Sequence, residues 1–66
     1  MSASEFVASI RRADRTVVFT EDMAEMGVLL FCDHRCLNPG PILEALRTEH
    51  LDGLEYLDGL FRFIKN

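Results

Sequence analysis

The sequence predicts a small α+β domain, an antiparallel β-hairpin extended to three or four strands and packed by an N-terminal helix and by C-terminal helices. Three observations lead there. Val28-Leu29-Leu30-Phe31-Cys32 is the only run of five consecutive apolar residues, opened by Gly27 and closed by Asp33-His34-Arg35. Such a run between turn signals reads as a strand covered on both faces, at the centre of the core. Ahead of it, Arg15-Thr16-Val17-Val18-Phe19-Thr20 is rich in β-branched residues and reads as a second strand. Apolar residues at helical spacing occupy both ends of the chain. Sixty-six residues allow one domain, spanning 1–66, and a chain this short buries only ~60% of its unfolded surface.

The first helix starts at Ser2-Ala3-Ser4-Glu5, which fits a capping box between Ser2 and Glu5. Ala3, Phe6, Val7, Ile10 and Ala13 form its apolar stripe, and Arg11, Arg12 and Arg15 make a solvated end that complements the helix dipole. In the strand over residues 15–20, Val17 and Phe19 share one face. Glu21 to Gly27 is expected to form one or two helical turns, capped by Thr20 and stopped by Gly27. A connection that short cannot make a parallel crossover, so strands 15–20 and 28–32 are expected to pair antiparallel. Met23 and Met26 are expected to fold back onto that hairpin; exposed beside Glu21, Asp22 and Glu25, they would instead form an adaptable contact surface.

Leu37-Asn38-Pro39-Gly40-Pro41 marks a turn, with Pro41 as the first residue of a helix whose stripe is Ile42, Leu43, Ala45 and Leu46. Residues 51–64 fit two patterns. On a helical wheel Leu54, Tyr56, Leu57, Leu60, Phe61, Phe63 and Ile64 fall on one half, and Asp52, Glu55, Asp58, Arg62 and Lys65 on the other. Against the helix stand Gly53 and Gly59. The rival is a hairpin turning at Asp58-Gly59, a favoured two-residue turn. The helix fits the stripe better and is the expectation taken forward, with a bend near residues 48–52 separating it from the preceding one.

Composition narrows the function. The hydrophobic fraction of 48% and charged fraction of 27% are ordinary for a folded protein. No apolar stretch reaches the ~18 residues of a membrane span. Met1-Ser2-Ala3-Ser4-Glu5 lacks the basic segment and apolar core of a signal peptide, so a cytoplasmic location is expected. Net charge is −4, concentrated in residues 16–58, where nine carboxylates face Arg35 and Arg47. That balance disfavours direct binding to nucleic acid or anionic lipid and favours a basic partner.

No motif signals catalysis. Cys32-Asp33-His34-Arg35-Cys36 would place Cys32, His34 and Cys36 on one face of a continued strand, with His50 as a fourth zinc ligand. The second ligand pair of a structural zinc site is missing, and packing cysteines beside a turn histidine explain the same residues. The Cys-x-x-x-Cys spacing is not the redox motif. The four glycines are scattered and form no phosphate loop. No cofactor and no enzymatic activity are expected.

Carboxylates are the remaining candidates: Glu21, Asp22 and Glu25 in one group, and Glu44, Glu49, Asp52, Glu55 and Asp58 in the second half. On the helical reading Asp52, Glu55 and Asp58 share an exposed face, where carboxylates could occupy the positions of phosphates on a protein built to bind nucleic acid. In size, acidity and absence of motifs the chain resembles the small phage-encoded anti-CRISPR inhibitors. These share no common fold or signature, so no functional residue carries over. The resemblance implies a compact inhibitor, in the host cytoplasm, of a nucleic-acid-handling complex such as one with a Cas effector subunit. The inhibitor itself is expected to be a monomer or weak homodimer. The alternatives are a structural or homodimeric interaction subunit and a small zinc domain at Cys32, His34, Cys36 and His50.

Overall fold

The computed structural model describes residues 3–35 and 37–66. Six elements follow in order: α1 (Ala3–Ile10), β1 (Val17–Thr20), α2 (Glu21–Arg35), α3 (Pro39–Thr48), β2 (Leu54–Leu57) and β3 (Leu60–Phe63). The α+β class is as the sequence predicts, but the hairpin is a different one. The three strands form one antiparallel sheet in the order β1-β3-β2, so the strand latest in sequence is central. Val17 lies opposite Phe63 and Phe19 opposite Phe61, while Leu54 and Tyr56 face the same two phenylalanines from the other side.

That register gives the sheet one apolar inner face. Phe61 and Phe63 are buried, and Val17, Phe19 and Leu54 are partly so. All three helices contribute to the core over this face: Ala3, Phe6 and Val7 from α1, Ala24, Val28 and Cys32 from α2, and Ile42, Ala45 and Leu46 from α3. An edge-to-face ring contact joins the layers, with Phe63 5.9 Å from Phe6 between centroids, and a second lies within the sheet, with Phe63 5.1 Å from Phe19.

The expected central strand over residues 28–32 is helix. Thr20 Oγ1 accepts a hydrogen bond from the Met23 amide at 3.2 Å, as a cap should, and Glu21 and Asp22 occupy the first turn. Gly27 does not stop the helix. A Cβ there would lie 3.3 Å from Phe6 Cζ and 3.6 Å from Phe19 Cε2, so glycine lets α2 cross closely over the Phe6 and Phe19 rings. Beyond it Val28 and Cys32, four residues apart, point inward, whereas Leu29 and Leu30 point to solvent. Antiparallel pairing of β1 with residues 28–32 therefore does not occur.

In α3 the prolines act two residues earlier than expected. Pro39, not Pro41, is the first helical residue, and the Asn38 side chain accepts from the Gly40 amide at 3.1 Å.

The C-terminal helix is replaced by its rival. Asp58 and Gly59 have φ of 54° and 76°, the left-handed pair that a tight hairpin turn requires, and Gly53 has φ of 84°. Three such residues within seven cannot sit in a right-handed helix. The inner face then follows a period of two through Leu54 and Tyr56, and through Phe61 and Phe63.

At the base of the hairpin, Arg11 is far from a solvated helix end. Its Nε donates to the Ile64 carbonyl at 2.9 Å, Nη1 to the Asp52 carbonyl at 3.4 Å and Nη2 to Asn66 Oδ1 at 3.3 Å. Its side chain is only 19% exposed. Ser2, and with it the capping box, lies outside the described residues, and Ala13 falls beyond the end of α1.

Candidate interaction surface

The zinc reading depended on strand alternation, and the helix removes it. Cys32 faces the core, and His34, two residues on, is exposed on the opposite side of α2. Burial, with a smaller push from Asp33, raises the Cys32 thiol pKa and keeps it protonated. His50 is exposed beyond α3, and Cys36 lies outside the described residues. Among the described residues no three metal-ligating side chains come together.

The eight candidate carboxylates do not form one row. With no helix over residues 51–64, Asp52 sits in the turn before β2, its Oδ2 3.9 Å from Arg11 Nη1. Glu55 is on the outer face of β2, 3.7 Å from Arg62 Nη1, and Asp58 is in the hairpin turn. Glu44 and Glu49 belong to α3 and its C-terminal cap.

Glu21 is held at the surface by two donors. Tyr56 Oη donates to its Oε2 at 2.7 Å and Arg47 Nε to its Oε1 at 3.1 Å, tying the starts of α2, the end of α3 and β2 together. The tyrosine hydroxyl first, then the guanidinium, hold the Glu21 carboxyl below the usual glutamate range, and the same bond raises the Tyr56 pKa. An open cleft of about 410 Å³ lies beside this trio, between the end of α3 and β2. Of the residues that line it, Arg47 and Tyr56 are engaged by Glu21.

A different surface stands out. Met23, Met26, Leu29 and Leu30 all point to solvent from α2, with Met26 63% and Leu30 60% exposed. At about 100° per residue these four fall within an arc of roughly 120°, opposite the buried Ala24, Val28 and Cys32. Asp22 lies on the same arc in the first turn and Asp33 in the last, both exposed, and exposed Glu25 flanks it. The expectation that the methionines pack onto the hairpin is thus overturned. Turning at Gly27 would have let them fold back; a helix that continues to Arg35 carries them along its outer side.

Of the predicted site residues, then, the structure brings Asp22 and Glu25 onto this surface and disperses the others. Leu29, Leu30 and Asp33 also belong to it, although the sequence pattern places them in a buried strand and its closing turn. The available signal was the spacing Met23, Met26, Leu30, an i, i+3, i+7 series on the far side of a helix.

Among the described residues no helix is long and apolar enough to cross a membrane. No protein-family model matches the chain, and searches of curated proteins and of solved structures find no match either.

Proposed function

We propose that the protein is a non-enzymatic binding module of the cytoplasm, and that the outer side of α2 is its contact surface. One observation carries this: α2 is apolar on two opposite sides. A helix of that kind is normally buried on both, yet Met23, Met26, Leu29 and Leu30 are left in water. Methionine and leucine offer large, deformable apolar area that adapts to a partner. Carboxylates at both ends of the strip, Asp22 and Asp33, and Glu25 beside it select a partner whose apolar contacts are bordered by lysine or arginine.

Proteins that handle nucleic acid present that chemistry on the surfaces where phosphates lie. Occupation of such a surface would make this protein an inhibitor, the function its size and acidity suggest.

The test is affinity capture from the native host with wild type and with a Met26→Ser, Leu30→Ser double variant. Wild type should capture a basic protein that short duplex DNA or RNA displaces, and the variant, folded by circular dichroism, should lose it. Equal capture by both would reject this surface. Undiminished capture under competition would reject the nucleic-acid-handling target.

A further inference from the structure

β2 is an outer strand, paired with β3 on one side only. Register decides which of its main-chain groups are free. The Gly53 carbonyl accepts from the Ile64 amide at 2.8 Å, so the alternation aims Gly53, Glu55 and Leu57 at β3 and Leu54 and Tyr56 away from it. The Leu54 amide is taken by the Leu51 carbonyl at 3.1 Å. That leaves the Leu54 carbonyl and both main-chain groups of Tyr56 along the edge, a template for one more strand.

The cleft of about 410 Å³ runs along this same edge. Leu54 and Tyr56 line it from the inner face of β2 and Glu55 from the outer face, with the end of α3 opposite and no residue of β3. An antiparallel strand added here exchanges two main-chain bonds with Tyr56 and donates a third to the Leu54 carbonyl. Its residue opposite Tyr56 shares that side chain's face of the sheet, so its own side chain enters the cleft. Charge then selects the residue. Arg47 is matched by Glu21 at 3.1 Å, and Glu55 by Arg62 at 3.7 Å. Glu49, exposed on the cleft wall, has no cation against it among the described residues.

We infer that the β2 edge is a docking site, distinct from the α2 strip, for an extended segment of a partner protein that carries a lysine or arginine opposite Tyr56. Main-chain bonds hold such a segment and the cleft reads its basic residue. A second copy of this chain does not fit. Neither outer strand, Val17–Thr20 or Leu54–Leu57, contains a basic residue to offer.

The probe is the peptide acetyl-Val-Thr-Lys-Thr-Val-amide, titrated to about 5 mM into the isotope-labelled full chain and followed by amide chemical shifts, a range that reaches weak affinities. Saturable shifts should centre on residues 46–50 and 54–57. Glutamate in place of the peptide lysine, or a methyl group on that lysine's amide nitrogen, should weaken binding about tenfold or more. Glu49→Lys, with the rest of its spectrum unchanged, should lose the lysine peptide and gain the glutamate one. Leu30→Ser on α2 should bind as wild type does, which separates this site from the strip. No shift at the top of the titration, shifts centred elsewhere, equal binding of the three peptides or indifference to Glu49→Lys overturns the proposal. Shifts at the β2 edge that grow with protein concentration alone also overturn it, by making a second copy the occupant.

Discussion

Val28 and Leu30 are two residues apart in a continuous apolar run, and the helix gives them opposite fates. Val28 is fully buried, whereas Leu30 is 60% exposed. Val28→Ala deletes two methyl groups from the core, about 1.6 kcal/mol at ~0.8 kcal/mol per buried carbon. The cavity left in the core adds roughly 1 kcal/mol. Alanine's better helix propensity returns about 0.5 kcal/mol, for a net loss near 2 kcal/mol. Leu30→Ala removes a side chain that folding only partly buries, and the expected loss is about 0.5 kcal/mol. In urea, with a slope of about 1 kcal/mol/M for so small a chain, the midpoint should fall by about 2 M for Val28→Ala and about 0.5 M for Leu30→Ala. Equal shifts would contradict the helix, because a strand covered on both faces buries the two residues alike.

Gly53→Ala should be far more damaging than Gly59→Ala. Both glycines have positive φ, which costs an alanine about 1 kcal/mol or more. A Cβ at Gly53 would also collide with the Arg11 side chain, whereas nothing lies near Gly59. Losses of about 3 and about 1 kcal/mol are expected by urea unfolding; similar losses would exclude the Arg11 contact. Arg11→Lys keeps the charge but cannot reach its carbonyl partners together, so it should lower the melting temperature nearly as much as Arg11→Ala. Full rescue by lysine would show that charge alone matters there. Asn38→Ala should remove about 1 kcal/mol by loss of the α3 cap, and Asn38→Ser should restore most of it.

Acid should loosen the Glu21 tie in a defined direction. The carboxyl pKa is lowered in the folded state, so its contribution is complete above the ordinary glutamate range and vanishes as pH falls through the folded value. The melting-temperature gap between wild type and Glu21→Gln should therefore close as pH falls below the ordinary glutamate range. A constant gap would remove the carboxylate from the account. On the alkaline side the raised Tyr56 pKa has the opposite sense, its contribution lasting until pH rises through the folded tyrosine value.

Much of the fold was legible because its local chemistry is explicit. The apolar stripe of α1, the alternation in β1, the Thr20 cap and the proline-marked start of α3 each need only neighbouring residues. The two misread stretches share a cause. Leu29 and Leu30 turn α2 into an unbroken apolar run, and Leu57 and Leu60 turn the hairpin into a helical stripe. In both places apolar side chains stand in water, and pattern reading assumes that apolar means buried. Removing those four residues from the pattern recovers Val28 with Cys32 at helical spacing, and Leu54, Tyr56, Phe61 and Phe63 at a period of two. The glycines at 53 and 59 held the contrary signal, since only turns call for left-handed backbone there. Leu29 and Leu30 belong to the proposed contact surface on α2. Arg11 was illegible for another reason: its partners lie more than forty positions away.

The placement of β3 between β1 and β2 has a consequence for biogenesis. While the chain emerges from the ribosome, β1 has no neighbour to pair with until residues 60–63 appear, some forty positions later. Everything made before then can form helices but no sheet, because both outer strands hydrogen-bond only to the inner one. Folding is thus expected to wait for nearly the whole chain and then occur in a single step. A nascent polypeptide stalled after α3 would expose its phenylalanines and be an early target for chaperones or proteases.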